Sequence, residues 1–452
     1  MTYYEGYGDV LSNLLQQCKK YDTINLVIFD LNGIPKIKSV PGSVIHRVLK
    51  EEGGLGIYAG LYAIGSDASA YFPEIIKKHG LGDAMIIPQN VPAYENTWCT
   101  AAVECKEKVL DVICDLYWKD KSEISHSPRH LANRLINELG RRNIKIYSAL
   151  EYEFTVYESD EITFPWKSKQ AYSNFVGRKL QKPLYELRKS MEASNLPART
   201  INIEYGRGQM EVTLFPKFGI AAADDALVFK QSVIETFALN NYKATFMSKS
   251  SELASTNSGH YNFSLWSKET GKNLFYDPNS EDKLSELAHQ FIGGILTHAK
   301  ALTAFFDPTV NCYRRLKPDT MAPYTVSWNY SSRFVYLRAK TDAESSTYLE
   351  VRAPSGACNP YIVLCAVIAA GLDGVDRNIK VPPTMGDVQG CERLPSTLSE
   401  ALGILRSDTH LINKLGKDFV DHFIEFKETL EVKVLEGLDS FEKEREMYME
   451  IQ

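Results

Sequence analysis

The chain has 452 residues, 44% hydrophobic and 24% charged, with a net charge of −6, the balance of a soluble globular protein long enough for two domains. That acidity offers no footprint for nucleic acid, and the acidic, polar start MTYYEGYGDV is not a secretory leader. The longest apolar run, YIVLCAVIAAGL, is too short to span a bilayer, and eight cysteines without a C-x-x-C pair read as free thiols of a cytoplasmic protein.

Residues 24–115 read as strand-rich. INLVIFDLNGIPKIKSV predicts a hairpin turning at Asn32-Gly33, and AMIIPQN and KVLDVICDLYW predict further strands. The polar stretch 119–127 is the expected linker, dividing the chain into domains at 1–118 and 119–452. Ser127 and Pro128 then open a helix carrying Leu131, Leu135, Ile136 and Leu139 on one face, with Gly140 past its end. SALEYEFTVYE predicts a strand, 168–193 a lysine-rich helix, INIEYG and QMEVTLFP two strands, and 220–246 a long helix. Further helices are expected over 281–306, 360–375 and 410–448. The order predicts an α+β fold, a small β-rich N-terminal domain followed by a larger α+β domain.

SALEYEFTVYE carries the first chemical signal. Leu150, Tyr152, Phe154 and Val156 alternate with Glu151, Glu153 and Thr155, so both carboxylates share one face of a strand. Two such carboxylates repel unless they are solvated, share a proton or bind a cation. EYGRGQME adds Glu204 and Glu211 at the ends of a Gly-rich turn, NSGHYNFSLW adds His260, and YLEVRAPSGACNPY adds Glu350 beside Arg352. Singly, each has a bland reading as a solvated edge or a structural histidine. Together they form the oxygen-rich, one-imidazole set that Mg²⁺ or Mn²⁺ prefers. Arg315, Arg333, Arg338 and Arg352 form a cationic group, and arginines facing a metal–carboxylate cluster suit phosphoryl transfer. Arg333 and Arg338 flank an apolar strand, which predicts that both are partly buried.

The order of these motifs resembles the glutamine synthetases over nearly the whole chain. ALEYEF matches G-x-E-x-E-F with Ala149 in place of glycine, and EYGRGQME matches E-x-x-P-G-Q-x-E. Phe246, Met247, Lys249, His260, Ser264 and Leu265 match F-M-x-K and H-x-x-x-S-L; CYRRL, SRFVYLR and EVRAPSGACNPY match three more motifs. The resemblance implies a β-grasp N-terminal domain and a catalytic domain with an antiparallel sheet and flanking helices. It implies homo-oligomeric rings, typically dodecamers, with active sites between subunits, and ATP with Mg²⁺ or Mn²⁺ as cofactors. It assigns Glu153, Glu204 and Glu211 to one metal, and Glu151, His260 and Glu350 to the other. Arg333 and Arg338 would meet the transferred phosphoryl, Arg315 and Arg352 the acid substrate, and Ser264 the nucleotide.

The departures from the family pattern are selective. Met321, in KPDTMAP, replaces the flap glutamate that deprotonates ammonium, and Ala59 replaces an aspartate that partners ammonium. STNSG replaces the loop that handles glutamate's amino end, Asn202 replaces a nucleotide-contacting histidine, Tyr348 stands where an adenine-stacking arginine would be, and Asp67 survives from E-S-D-M. The metal and arginine sets are kept while the ammonium site is lost. The expected activity is therefore an ATP- and Mg²⁺-dependent carboxylate–amine ligase acting through an acyl phosphate, with an organic amine against Met321 and Ala59. The alternatives are a catalytically inactive, lengsin-like structural or interaction protein, a true glutamine synthetase, and a kinase that stops at the phosphorylated acid.

Overall fold

The computed structural model describes residues 7–52, 54–73, 76–77, 82–88, 93–99, 103–385 and 390–452. The first element among the described residues is α1 (Tyr7–Cys18), which the strand-rich pattern does not announce, followed by β1 (Thr23–Phe29) and β2 (Pro35–Pro41). The hairpin forms as expected, but its turn runs from Asp30 to Ile34. The Gly33 N–H donates to the Asp30 carbonyl, and Gly33 alone takes the left-handed φ of +78°. Then come β3 (Leu55–Tyr58), β4 (Asp83–Pro88), β5 (Tyr94–Glu95) and β6 (Val109–Tyr117). They pair in the order β2-β1-β6-β4-β3, with β5 on β6 and β1 parallel to β6. Leu26, Ile28, Val112 and Leu116 fill a core of their own with Leu14, Cys18 and Tyr62.

Ser127 caps α2 (Pro128–Arg141), accepting from the His130 N–H. Gly140 lies inside the last turn of this helix, and the left-handed residue beyond its end is Asn143. The second sheet begins with β7 (Ile144–Glu158); of the segment expected to be helical from 168, helix starts at Asn174, with a short turn Asn174–Gly177 and a 3-10 turn Arg178–Leu180 leading into α3 (Gln181–Ala193). β8 (Ala198–Ile203), β9 (Gln209–Leu214) and β10 (Lys217–Phe218) lead into α4 (Ala221–Leu239). The long helix expected to reach 246 stops there. Asn241 turns left-handed, and Tyr242–Thr245 becomes β11, paired to β7.

After β12 (Gly259–Ser267) come α5 (Glu286–Thr297) and α6 (Ala299–Phe306), broken at His298. β13 (Trp328–Asn329), β14 (Leu337–Lys340) and β15 (Tyr348–Val351) complete the sheet, and α7 (Pro360–Asp376) is buried along most of its length. The C-terminal helices are α8 (Leu398–Ser407), α9 (Thr409–Leu415), α10 (Lys417–Lys427) and α11 (Phe441–Tyr448); Gly416, at φ +90°, separates α9 from α10. Among the described residues no helix is long and apolar enough to cross a membrane.

The larger sheet runs β13-β14-β15-β12-β7-β9-β8, antiparallel apart from the short β13–β14 pair. One face of β7 carries Leu150, Tyr152, Phe154 and Val156, all buried. Tyr152 stacks on Phe229, and Phe154 meets Phe237 edge-on, so α4 covers this face. Helices on one side leave the acidic face open, as the two-residue period requires. A buried polar chain joins the distant parts of the fold. The Lys427 ammonium donates to Asn32 Oδ1 in the β1–β2 turn at 2.7 Å and to Glu431 at 3.2 Å, and Glu431 accepts from the Tyr448 hydroxyl.

Candidate active site

Strand register builds the site. Glu151 stands opposite His260 on β12 and Thr213 on β9, Glu153 opposite Glu211, Glu211 opposite Asn202, and Glu350 opposite both Arg338 and Asn262. Cross-strand partners share a face, so acids, imidazole and arginine form one patch on the open side of the sheet. The turn between β8 and β9 brings in Glu204. Gly208 takes φ +64° there, and a Cβ on it would lie 2.2 Å from the Val156 carbonyl oxygen, so only glycine lets the turn approach β7.

Two acidic clusters result. The His260 Nδ1 lies 3.3 Å from Glu151 Oε1 and 3.8 Å from Glu350 Oε1. Among the described residues this is the trio whose ligand atoms all fall within 4.8 Å of one another. Two carboxylates and one imidazole at that spacing fit a hard divalent cation. Glu153, Glu204 and Glu211 form the second cluster. Asn202 donates to Glu204 at 3.1 Å and to Glu211 at 3.3 Å, and the Ser258 N–H donates to Glu153 at 2.8 Å. Burial, with the charges of Glu151, Glu153 and Glu204, pushes the Glu211 carboxyl up to about 9. Burial also raises Glu204, helped by Glu153. Burial works against ionised Glu151 too, yet hydrogen bonding to His260 and its charge outweigh it and hold this carboxyl down to about 2. Among the described residues no cation pairs with these three carboxylates, and their mutual repulsion, which raises Glu211 and Glu204, is what a bound metal ion would relieve.

Glu350 is held differently. It is 6% exposed and accepts from Arg352, with Arg338 at 3.5 Å. Around these groups opens a cleft of about 1070 Å³. Of the expected site residues, Glu151, Glu153, Glu204, Glu211, His260, Glu350, Arg333, Arg338, Arg352, Met321 and Tyr348 line it. Arg333 is exposed in the loop before β14 rather than partly buried, because the strand starts only at Leu337; its carbonyl accepts from Arg352 Nε at 3.0 Å.

Five of the residues singled out in the sequence do not line the cleft. Arg315 is fully buried, pairing with Asp307 at 2.9 Å and donating to Ser258 Oγ and the Ala353 carbonyl, so it props the floor of the cleft instead of meeting a substrate. Asn202 bridges two carboxylates, which occupies its amide and leaves no nucleotide role in this arrangement. Ser264 lies further along the face of His260, where its Oγ accepts from the Trp266 indole at 2.9 Å. Asp67 sits on an exposed loop of the N-terminal region, accepting from Ser69. Ala59 is buried in the N-terminal core and is not available to an amine.

Gln209, in the EYGRGQME motif, also belongs to the site. It is 3% exposed; its Nε2 donates to Glu153, the Thr256 carbonyl and Asn257 Oδ1, and its Oε1 accepts from the Gly206 N–H. It ties the Gly-rich turn, a cluster carboxylate and the 255–258 loop together. Its neighbours in EYGRGQME were the only signal. No motif marks the apolar rim: Tyr172, Tyr205, Leu253 and Phe334 line the cleft with Met321, and all five are exposed.

The glutamine synthetase catalytic-domain family matches residues 125–448, which contain every residue of both clusters. The chain belongs to the glutamine synthetase family. Its relatives include a glutamine synthetase of Pyrococcus abyssi, 28% identical over 92% of each chain. A glutamate–isopropylamine ligase of a Pseudomonas species is 30% identical over 72% of this chain and 74% of its own. A solved structure described as a novel glutamine synthase homolog superposes with a TM-score of 0.84 at 24% identity, covering 96% of this chain and 99% of that one, and so shares the fold. A lengsin of Canis lupus familiaris is also similar, 27% identical over 88% of this chain and 69% of its own.

Proposed function

We propose that this protein uses ATP and a divalent cation to join a carboxylic acid to an organic amine, through an acyl phosphate. The observation that carries the reading is the contrast within one cleft. The cation trio and Arg333, Arg338 and Arg352 are all there, while the flap presents Met321, 59% exposed, where the family places its glutamate. Glu151, His260 and Glu350 would hold one cation, and Glu153, Glu204 and Glu211 the other, with Gln209 and the Ser258 N–H orienting Glu153. Divalent cations bound there supply charge neutralisation for the phosphoryl oxygens. Arg338 and Arg352, which neutralise Glu350 in this structure, are the forks available to a phosphoryl group once Glu350 turns to a cation.

The nucleobase has a natural seat further along the same face. Tyr147 lies 4.5 Å from Phe218 and 6.0 Å from Trp266 between ring centres, with Ser264 beside them. Tyr147 is four residues before Glu151, about 13 Å along a strand at ~3.3 Å per residue, a span suited to a ribose and triphosphate. That restores a nucleotide role to Ser264 without requiring it to line the cleft. The apolar rim and Met321 suit the carbon body of an amine and offer nothing to ammonium. A neighbouring subunit over that rim, in a ring, would close the site, and we propose the two-domain division at 118/119 for the same assembly.

The test is ADP release from MgATP with glutamate and other acids, across ammonia and a panel of alkylamines. Amine-dependent ADP release exceeding that with ammonia supports the reading. ADP release fastest with ammonia favours glutamine synthesis, and none with any pair leaves the fold a structural role. Light scattering should give a species many times 51.0 kDa; a monomer at micromolar concentration refutes the ring.

A further inference from the structure

We infer that Asp319, two residues before the flap methionine, is the carboxylate that takes the proton from the incoming amine; this rests on the amine-ligase reading above. An alkylamine reaches the cleft as an ammonium ion without a lone pair, so attack needs a base within reach. Among the described residues seven acids line the cleft: Glu151, Glu153, Glu204, Glu211, Glu252, Asp319 and Glu350. Five belong to the cation clusters. Glu252 lies beside Lys249, whose ammonium donates to the Glu252 carbonyl and feels that side chain's charge. Asp319 has no hydrogen-bond or ion-pair partner among the described residues. It is the carboxylate free to act.

The loop is built to present it. Thr320 is pinned: its hydroxyl donates to the carbonyls of Arg315 and Lys317, and its own carbonyl accepts from Thr256 at 2.9 Å. On either side of this pin Asp319 and Met321 take left-handed φ values of +70° and +63°. Such backbone is strained for a side chain with a Cβ and persists where its surroundings over-determine it, commonly at working sites. Buried Arg315 below, locked to Asp307, supplies that restraint. The cleft thus receives a charged group for the nitrogen and an apolar one for the carbon chain from a single loop.

In the step, R–NH₃⁺ gives one proton to the Asp319 carboxylate. The freed lone pair forms the C–N bond as the C–O bond to the phosphoryl group breaks, its electron pair leaving on phosphate. The second nitrogen proton goes to that phosphate, yielding amide, hydrogen phosphate and neutral Asp319.

Asp319→Asn tests this, because asparagine tolerates the left-handed backbone and the site is exposed. Turnover would be measured with an alkylamine and with hydroxylamine, which is neutral at pH 7 and needs no base. The ratio of alkylamine to hydroxylamine turnover should fall about 10²–10⁴-fold. The variant's alkylamine rate should also climb with pH toward the amine's own pKa, where the wild type levels off earlier. An unchanged ratio, with hydroxylamine still turned over, overturns the inference and leaves the ligase reading standing. A drop confined to Glu252→Gln overturns it in favour of Glu252. If the wild type turns over neither nucleophile, both the inference and the ligase reading fall.

Discussion

Replacing Glu350 separates two functions of one carboxylate. Its side chain is 7% exposed and is shared by Arg352, also 7% exposed, Arg338 at 3.5 Å and His260 at 3.8 Å. Glu350→Ala strands two guanidinium groups in the wall of the cleft, and removing one partner of a buried pair costs about 3–5 kcal/mol. Glu350→Gln keeps an oxygen for Arg352 to donate to, so its cost should be smaller. The alanine variant loses one of the three donors of the cation trio and the glutamine variant loses that donor's negative charge, so both should lose one Mn²⁺ site by titration calorimetry. Urea unfolding resolves the two effects. Without metal, the alanine variant should be less stable than the glutamine variant. With Mn²⁺ at a hundredfold excess over the dissociation constant, that site adds about 2.7 kcal/mol to the wild type, and this increment should vanish in both variants. Undiminished Mn²⁺ stoichiometry in the two proteins, with wild-type stability in the alanine variant, would refute the assignment of Glu350 as both arginine counter-ion and cation ligand.

Met321→Glu should raise ammonia-dependent ADP release and lower that with a bulky amine; if the two change in parallel, the flap does not select the nitrogen donor. Gln209→Leu removes the amide that holds Glu153, and Mn²⁺ affinity should fall about 10–100-fold with the circular dichroism spectrum unchanged; unaltered affinity would show that Glu153 needs no such support. Burial pushes His422 down to about 4, against its Nε2–H bond to the Tyr62 carbonyl. The unfolded chain therefore takes up this proton first, so its contribution is fully present above about pH 6.5 and is lost as pH falls toward 4. That amounts to about 3 kcal/mol, and comparing wild type with His422→Gln in urea at pH 7 and pH 5 should show a shallower acid loss in the variant.

Some of this was legible from the residues. The shared face of Glu151 and Glu153 follows from a period of two, and the strands after it follow from alternation between glycines. That His260 and Glu350 join Glu151 depends on the pairing of β12 with β7 and of β15 with β12, contacts between segments far apart in sequence. The motif resemblance supplied them. Arg315 was misread because two adjacent arginines look alike in a string, whereas Asp307 makes one of them a buried strut. The helix expected to run to 246 failed at Asn240 and Asn241, where a left-handed turn lets Tyr242–Thr245 join β7. Backbone hydrogen bonding to a waiting sheet edge outweighed helix propensity there.

The buried chain from Asn32 through Lys427 and Glu431 to Tyr448 has a consequence for biosynthesis. The β1–β2 hairpin can close within microseconds of emerging, yet the ammonium that fills its turn lies 395 residues later. At ~5–20 residues per second of translation, that is a wait of roughly 20–80 s. Lys427 in turn cannot settle into an apolar interior until Glu431 and the Tyr448 hydroxyl follow it out of the ribosome. The first hairpin is thus finished by the last helices, and a nascent chain stalled before α11 would expose an open turn and an unpaired lysine to quality control.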